Sequence, residues 1–220
     1  MRAYAPNDTV GAYLSHSESD AYAVMLGADR VGTLKTSDGV LSAFFTSDNR
    51  TDAARHAFAA AVKTLKIHSA RVITADSRFL SLCLGMSDDI ETETCLYALT
   101  APRTYPYIPL RPALSPNDLP SAAPACELGG EMLKDLIRRR AVYVGEECFC
   151  IADTCNGYGA AFISAFAPDD SAVSALLCRM GMFCRDCNML ALSLCRESAS
   201  APLETAGFAC TERVLRVRFK

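Results

Sequence analysis

The sequence predicts an α+β, mixed α/β fold made of two similar halves, each a mixed β-sheet flanked by α-helices. Three observations predict it. Short apolar runs bounded by turn residues read as strands, and longer runs with apolar residues three and four apart read as helices. The same order of strands and helices can be drawn twice along the 220 residues. Between the two copies lies Ala101–Pro112, with four prolines, which remove backbone donors and interrupt regular structure. The halves are therefore set at 1–100 and 108–220, with 101–107 as a proline-rich linker.

In the first half, Ala21–Leu26 and Val31–Lys35 read as strands around Gly27, and Val40–Thr46 as a third. Asp48 and Asn49 offer capping oxygens ahead of a helix over Thr51–Leu65. That helix puts Ala54, Phe58, Ala61, Val62 and Leu65 on one face. Ala70–Ala75 is a strand, Ser77–Leu84 a short helix stopped by Gly85, and Glu91–Leu99 a final strand.

The second half opens on a helix over Gly130–Arg140 and then repeats the order. Ala141–Val144, Cys148–Ala152 and Gly159–Phe166 are strands. Asp169, Asp170 and Ser171 can cap a helix with Val173, Leu176, Leu177 and Met180 on one face. Met189–Leu194 is a strand, and a short helix through Leu203 stops at Gly207. Thr211–Phe219 closes the chain, with Leu215, Val217 and Phe219 on one face and Glu212, Val214, Arg216 and Arg218 on the other.

Half of the residues are apolar, enough for a packed core, and the net charge is -3. There is no global basic field to hold nucleic acid or an anionic membrane. The first ten residues contain no apolar signal region, and no apolar run approaches the roughly 18 residues of a spanning helix. The expectation is a soluble, cytoplasmic protein without nucleic-acid or membrane partners, with a homodimer left open. Eleven cysteines are expected to be reduced thiols. Cys184 and Cys187 form a CxxC pair, but a second pair at ligand spacing is missing and no metal is expected. Small buried apolar residues are the simplest reading.

Two segments carry a family resemblance. Ile108-Pro-Leu-Arg-Pro-Ala-Leu-Ser-Pro-Asn-Asp-Leu-Pro120 pairs an apolar-Arg-x-Ala strand with a Ser-Pro-x-Asp-Leu turn. Leu203-Glu-Thr-Ala-Gly-Phe208 is a helix end with a Gly-Phe break, followed by a strand of alternating apolar residues and arginines. Together they frame a region that resembles the GNAT superfamily of N-acetyltransferases, with the first half resembling a degenerate second copy. The resemblance implies a GNAT-type acetyltransferase that uses acetyl-coenzyme A to acetylate an amine of an unknown acceptor. The cofactor would lie where Gly159–Phe166 and Met189–Leu194 splay apart. Its pantetheine arm would run along Ser164, Ala165 and Phe166. Its pyrophosphate would sit on the helix N-terminus at Ser171, Ala172 and Val173, and Ser198 would be a further contact.

The sequence also departs from that pattern. The loop Ala167–Val173 has no glycine and no basic residue, and it carries Asp169 and Asp170. The first half's loop, Ser47–Arg55, offers Arg50 and Arg55 to phosphate oxygens but again lacks glycine. The family's acidic tyrosine falls four residues before the glycine of the Gly-Phe break. Leu203 and Ser81 occupy those places, so no catalytic residue is assigned. Glu146, Glu147 and Asp153 are candidate bases, and each also reads as a solvent-facing acid. The alternative is a catalytically inactive GNAT-fold module that binds a ligand or a protein.

Overall fold

The computed structural model describes residues 20–26, 28–46, 51–120, 130–155 and 159–220. The readings placed on Gly27, Asp48, Asn49, Arg50 and the first ten residues lie outside these. The chain forms two compact units: everything up to Thr94 joined by Glu212–Lys220, and Cys95–Thr211.

The first unit contains β1 (Asp20–Leu26), β2 (Asp29–Ser37), β3 (Val40–Thr46), β4 (Ser69–Ile73), most of β5 (Ser87–Leu99) and the end of β11 (Phe208–Phe219). The strand order is β1-β2-β3-β4-β11-β5. Strands β2 and β3 form a hairpin through Asp38 and Gly39, at φ 50° and 73°. Left-handed backbone at both turn positions matches the twist of the strands it joins, and Asp-Gly tolerates it. Helix α1 (Thr51–Thr64) then crosses to β4, which pairs parallel to β3. Helix α2 (Ser77–Leu84) follows, with the Asp76 carboxylate accepting from the Phe79 amide at 3.0 Å.

Phe58, on the predicted apolar face of α1, organises the core of this unit. It is 1% exposed. Its ring meets Phe44, Phe79 and Phe219 edge-on, with centroids 5.1, 6.3 and 5.8 Å away. Edge-to-face geometry sets the positive ring edge against a negative ring face. Val217 and Phe219, from the end of the chain, thus pack in the core of the unit that begins it. Alternation in the last strand fixed which of its faces is apolar; it carried no information about which sheet that face covers. The opposite face of the strand is charged: Arg71 meets Glu93 through two bonds of 2.9 and 2.6 Å, and Arg218 reaches Glu91 at 3.3 Å.

The second unit orders its strands β5-β10-β9-β8-β7-β6. These are the Cys95–Leu99 end of β5, β10 (Leu190–Cys195), β9 (Ala160–Phe166), β8 (Phe149–Cys155), β7 (Val142–Val144) and β6 (Arg111–Pro112). Helix α4 (Asp170–Asp186) and the short α5 (Ala201–Ala206) cover one face. Their core includes Leu177, Met180 and Leu203. Helix α3 (Gly130–Arg138) contributes Leu136 and Ile137 to a second cluster with Val142, Phe149 and Ile151.

The two sequence segments that framed the resemblance have structural work in this unit. Arg111 donates to Asp118 at 2.9 Å, and the same carboxylate accepts from the Leu114 and Ser115 amides at 2.8 Å each. The Arg and the Asp of the two motif pieces are therefore partners that clamp the turn. Only Arg111 and Pro112 pair as strand, since Pro112 and the nearby Pro109 have no amide to donate. At the other end, Gly207 closes α5 at φ 96°. A Cβ there would lie 1.9 Å from the Ala101 carbonyl oxygen, and the Gly207 carbonyl accepts from the Thr100 and Ala101 amides at 3.1 Å each. Only glycine fits that position.

Candidate functional site

Each unit contains one parallel strand pair joined through a helix, and in each the pair comes apart. In the second unit, β9 and β10 share three residue pairs, ending at Phe162–Leu192. Beyond that point β9 stays with β8 up to Phe166, and β10 stays with β5 up to Cys195. In the first unit, β3 and β4 share two pairs, ending at Leu41–Ala70. Strand β3 then stays with β2 up to Thr46, and β4 stays with β11 up to Ile73. Backbone groups released by an ended ladder need other partners, so each opening is a place where an extended ligand can pair with main chain. Each opens toward the start of the crossover helix, where amides point outward.

The second opening is furnished from within. Ser193, 4% exposed on β10, donates its hydroxyl to the Ile163 carbonyl at 2.8 Å. Ile163 follows the last paired residue of β9. At the mouth, Asp169 is the N-cap of α4: its carboxylate accepts from the Ala172 amide at 2.8 Å and its carbonyl from Val173 at 3.0 Å. The Asp170 carbonyl accepts from the Ser174 hydroxyl at 2.8 Å.

The predicted contact residues fall around this opening. Ser164 is exposed, Ala165 packs partly against the α4 side, and Phe166 stacks on Phe149 with ring centroids 4.4 Å apart. Ser171 is exposed at the start of α4, Ala172 and Val173 are half-buried, and Ser198 is exposed in a 3-10 turn after β10. The Asp169 carboxylate takes the free amide of Ala172, and Asp169 and Asp170 place two negative charges at this helix end.

The other candidate side chains of the second unit are also committed. Asp153 is held by Arg139, at 2.5 Å, and the same guanidinium reaches Asp135 at 2.9 Å. Glu146 and Glu147 are exposed in the β7–β8 turn. Leu203, in the place of the family's acid, is 4% exposed. Tyr97 escaped the sequence reading because it lies on β5, outside the second half as the sequence divides it. It is 2% exposed and sits opposite Ser193 in register. Burial pushes its pKa up, and a hydrogen bond with the Ser200 side chain pulls the other way. Ser200 in turn donates to Glu204 at 2.8 Å.

Cys184 is buried on the core face of α4, and burial pushes its thiol up to about 11. Cys187 is exposed at the helix C-cap. A thiol raised that far is a poor nucleophile at neutral pH. Among the described residues, no three His, Cys, Asp or Glu side chains are placed to hold a metal ion.

In the first opening, Arg78 of α2 donates to the Thr46 carbonyl at 3.4 Å and to its hydroxyl at 3.1 Å, at the end of β3. In the same unit, α1 and α2 line an open cavity of about 310 Å³ formed by Arg55, His56, Phe58, Ala59, Ser81, Leu82, Gly85 and Met86. Its wall is apolar, with one cation, Arg55, an exposed side chain only loosely paired to Asp52 at 4.0 Å. His56 is exposed, its Nδ1 2.7 Å from the Asp52 carbonyl oxygen. Ser81, in the place of the family's acid, lines this cavity. An apolar wall with a cation suits a ligand with an apolar arm and an anionic end. Arg55 was legible in the sequence as phosphate-friendly; the cavity was not, because its lining residues on the two helices lie more than 20 positions apart.

Among the described residues no helix is long and apolar enough to cross a membrane. No curated protein matches the sequence. Residues 11–99 match the profile of the acetyltransferase (GNAT) domain family, so the signature lies in the half that the sequence reading took as degenerate. Among solved structures, an acetyltransferase of the GNAT family from Colwellia psychrerythraea is 14% identical with a TM-score of 0.83, over 99% of this chain and 92% of that one. A tandem GNAT protein from the clavulanic acid biosynthesis pathway is 13% identical with a TM-score of 0.57, over 99% and 88%. A GCN5-related N-acetyltransferase from Sphaerobacter thermophilus is 14% identical with a TM-score of 0.56, over 91% and 80%. Identities this low speak for the fold. Residues 11–99 match the GNAT acetyltransferase domain, and the chain as a whole shares the fold of GNAT-family structures.

Proposed function

We propose that this protein is an N-acetyltransferase that takes acetyl-coenzyme A as donor and an amine as acceptor, and that its first unit holds the donor. One observation carries the reading: the family signature at 11–99 coincides with the unit whose helices α1 and α2 line a cavity bearing Arg55. The apolar wall of that cavity fits the pantetheine arm, and Arg55 fits a phosphate. When bound, the donor supplies an activated acetyl thioester. The chain's part is to hold it, keep water from it and present the acceptor amine. No side chain here is assigned as base or acid, since Ser81 stands where a tyrosine is expected. That substitution favours a second reading, a GNAT-fold module that binds the donor without transferring its acetyl group.

Incubation with acetyl-coenzyme A and a panel of primary amines separates the two. The expected result is protein-dependent release of free thiol together with an acetylated amine detected by mass spectrometry. Donor binding without thiol release would move the assignment to the second reading. No binding at millimolar donor, with the protein folded, would sink both.

A further inference from the structure

We infer that the strand opening of the second unit is liganded by the chain's own residues and takes no coenzyme A. A pantetheine arm pairs with main-chain groups that an ended parallel ladder leaves free. Here the Ile163 carbonyl, just past the last β9–β10 pair, already accepts from the buried Ser193 hydroxyl. A ligand would have to displace that bond and leave a buried hydroxyl without an acceptor, which costs more than the bond it gains.

The anionic end of such a ligand meets the same obstacle. The carboxylate of Asp169 stands where a phosphate oxygen would stand, 2.8 Å from the Ala172 amide. Asp170 begins the helix beside it. No glycine or basic residue lies between Ala167 and Val173. A diphosphate placed there would face two carboxylates with no counter-charge from that loop.

Around α4 and α5 the interior of this unit is tightly packed. Leu203 is buried among α4 and α5 core residues, and Gly181 of α4 lies so close to Leu99 that a Cβ would come within 2.7 Å of its Cδ2. The Tyr97 ring, 2% exposed, fills the same core. Ser193, Asp169 and Leu203 thus each answer a requirement of the fold that a bound cofactor would otherwise answer, and the second unit serves as scaffold.

The test is nuclear magnetic resonance of the full 15N-labelled chain titrated with coenzyme A to millimolar concentration. The amides of Ser164, Ala165, Ser171, Ala172 and Val173 are expected to stay within their linewidths. Saturable shifts at these positions would overturn the inference. If coenzyme A moves no amide anywhere, the inference stands and the donor assignment of the first unit falls, so the two fail separately. A second arm uses Ser171→Trp, at an exposed position that tolerates bulk. Its coenzyme A affinity, whatever the wild-type value, is expected to change less than twofold. A tenfold loss would place the ligand in the second unit and overturn the inference.

Discussion

The two units share a plan and differ in the side chains set around it. Both carry a parallel strand pair that parts after two or three residue pairs, with a helix starting at the open end. In the second unit the parted strands and the helix start are bonded by Ser193 and Asp169. In the first, Arg78 bonds the end of β3, and α1 and α2 line a cavity of about 310 Å³ with an arginine on its wall. The lesson is that the scaffold of a fold and its ligand chemistry are separable. The more regular copy, whose flanking segments resemble the family most, is the one whose ligand positions are filled by its own side chains. The copy that looks worn in sequence carries the family signature.

The comparison is broken most severely by deleting Glu212–Lys220. The first unit would lose Val217, 0% exposed, and Phe219, whose ring packs on Phe58. Phe219 is half-buried, so its loss costs less than the roughly 3–5 kcal/mol of a fully buried phenylalanine, and the loss of Val217 and of the β4–β11 ladder adds to it. Amide exchange is expected to show lost protection in β3, β4 and α1; retained protection there would mean this core does not need the chain's end.

Arg55→Glu reverses the charge on the cavity wall and is expected to weaken coenzyme A binding at least tenfold, since a charge-assisted hydrogen bond contributes about 1.5–3 kcal/mol. Unchanged affinity would remove the cavity from the donor site. Asp169→Ala tests the opposite unit: losing an N-cap costs about 1 kcal/mol of stability, readable as a lower midpoint in chemical denaturation, with donor affinity unchanged.

The smallest effect is expected in acid. Asp118 is held down to about 2 by its bond to Arg111, helped by the Leu114 and Ser115 amides. Its folded pKa lies below the unfolded carboxylate value of about 3.9. The clamp therefore contributes fully above about pH 4 and is lost as pH falls toward about 2. Asp118→Asn should remove that part of the acid sensitivity; identical acid curves for the variant and the wild type would show the clamp to be idle.

Most of the elements were legible in the sequence because they depend on local patterns. The spacing of Ala54, Phe58 and Val62 gave α1, Ser77–Leu84 matched α2 residue for residue, and Gly207 marked the end of α5. The destination of β11 was not legible, because Leu215, Val217 and Phe219 form the same apolar stripe whichever sheet receives them. Asp169 was readable as a cap, and it is one. Ser193 left no signal in the strand Leu190–Cys195: a serine between two leucines reads as an interruption, and its acceptor lies 30 residues away. The cavity by Arg55 depends on α1 and α2 packing, which periodicity describes for each helix but not for the gap between them.

The central claim is that one unit holds the donor and the other is filled from within. Calorimetric titration of the full chain with acetyl-coenzyme A tests it most directly, run on the wild type, Arg55→Glu and Ser171→Trp. The expected result is one donor per chain for the wild type and for Ser171→Trp, with heat lost in Arg55→Glu. Two donors per chain, or binding lost in Ser171→Trp and kept in Arg55→Glu, would contradict it.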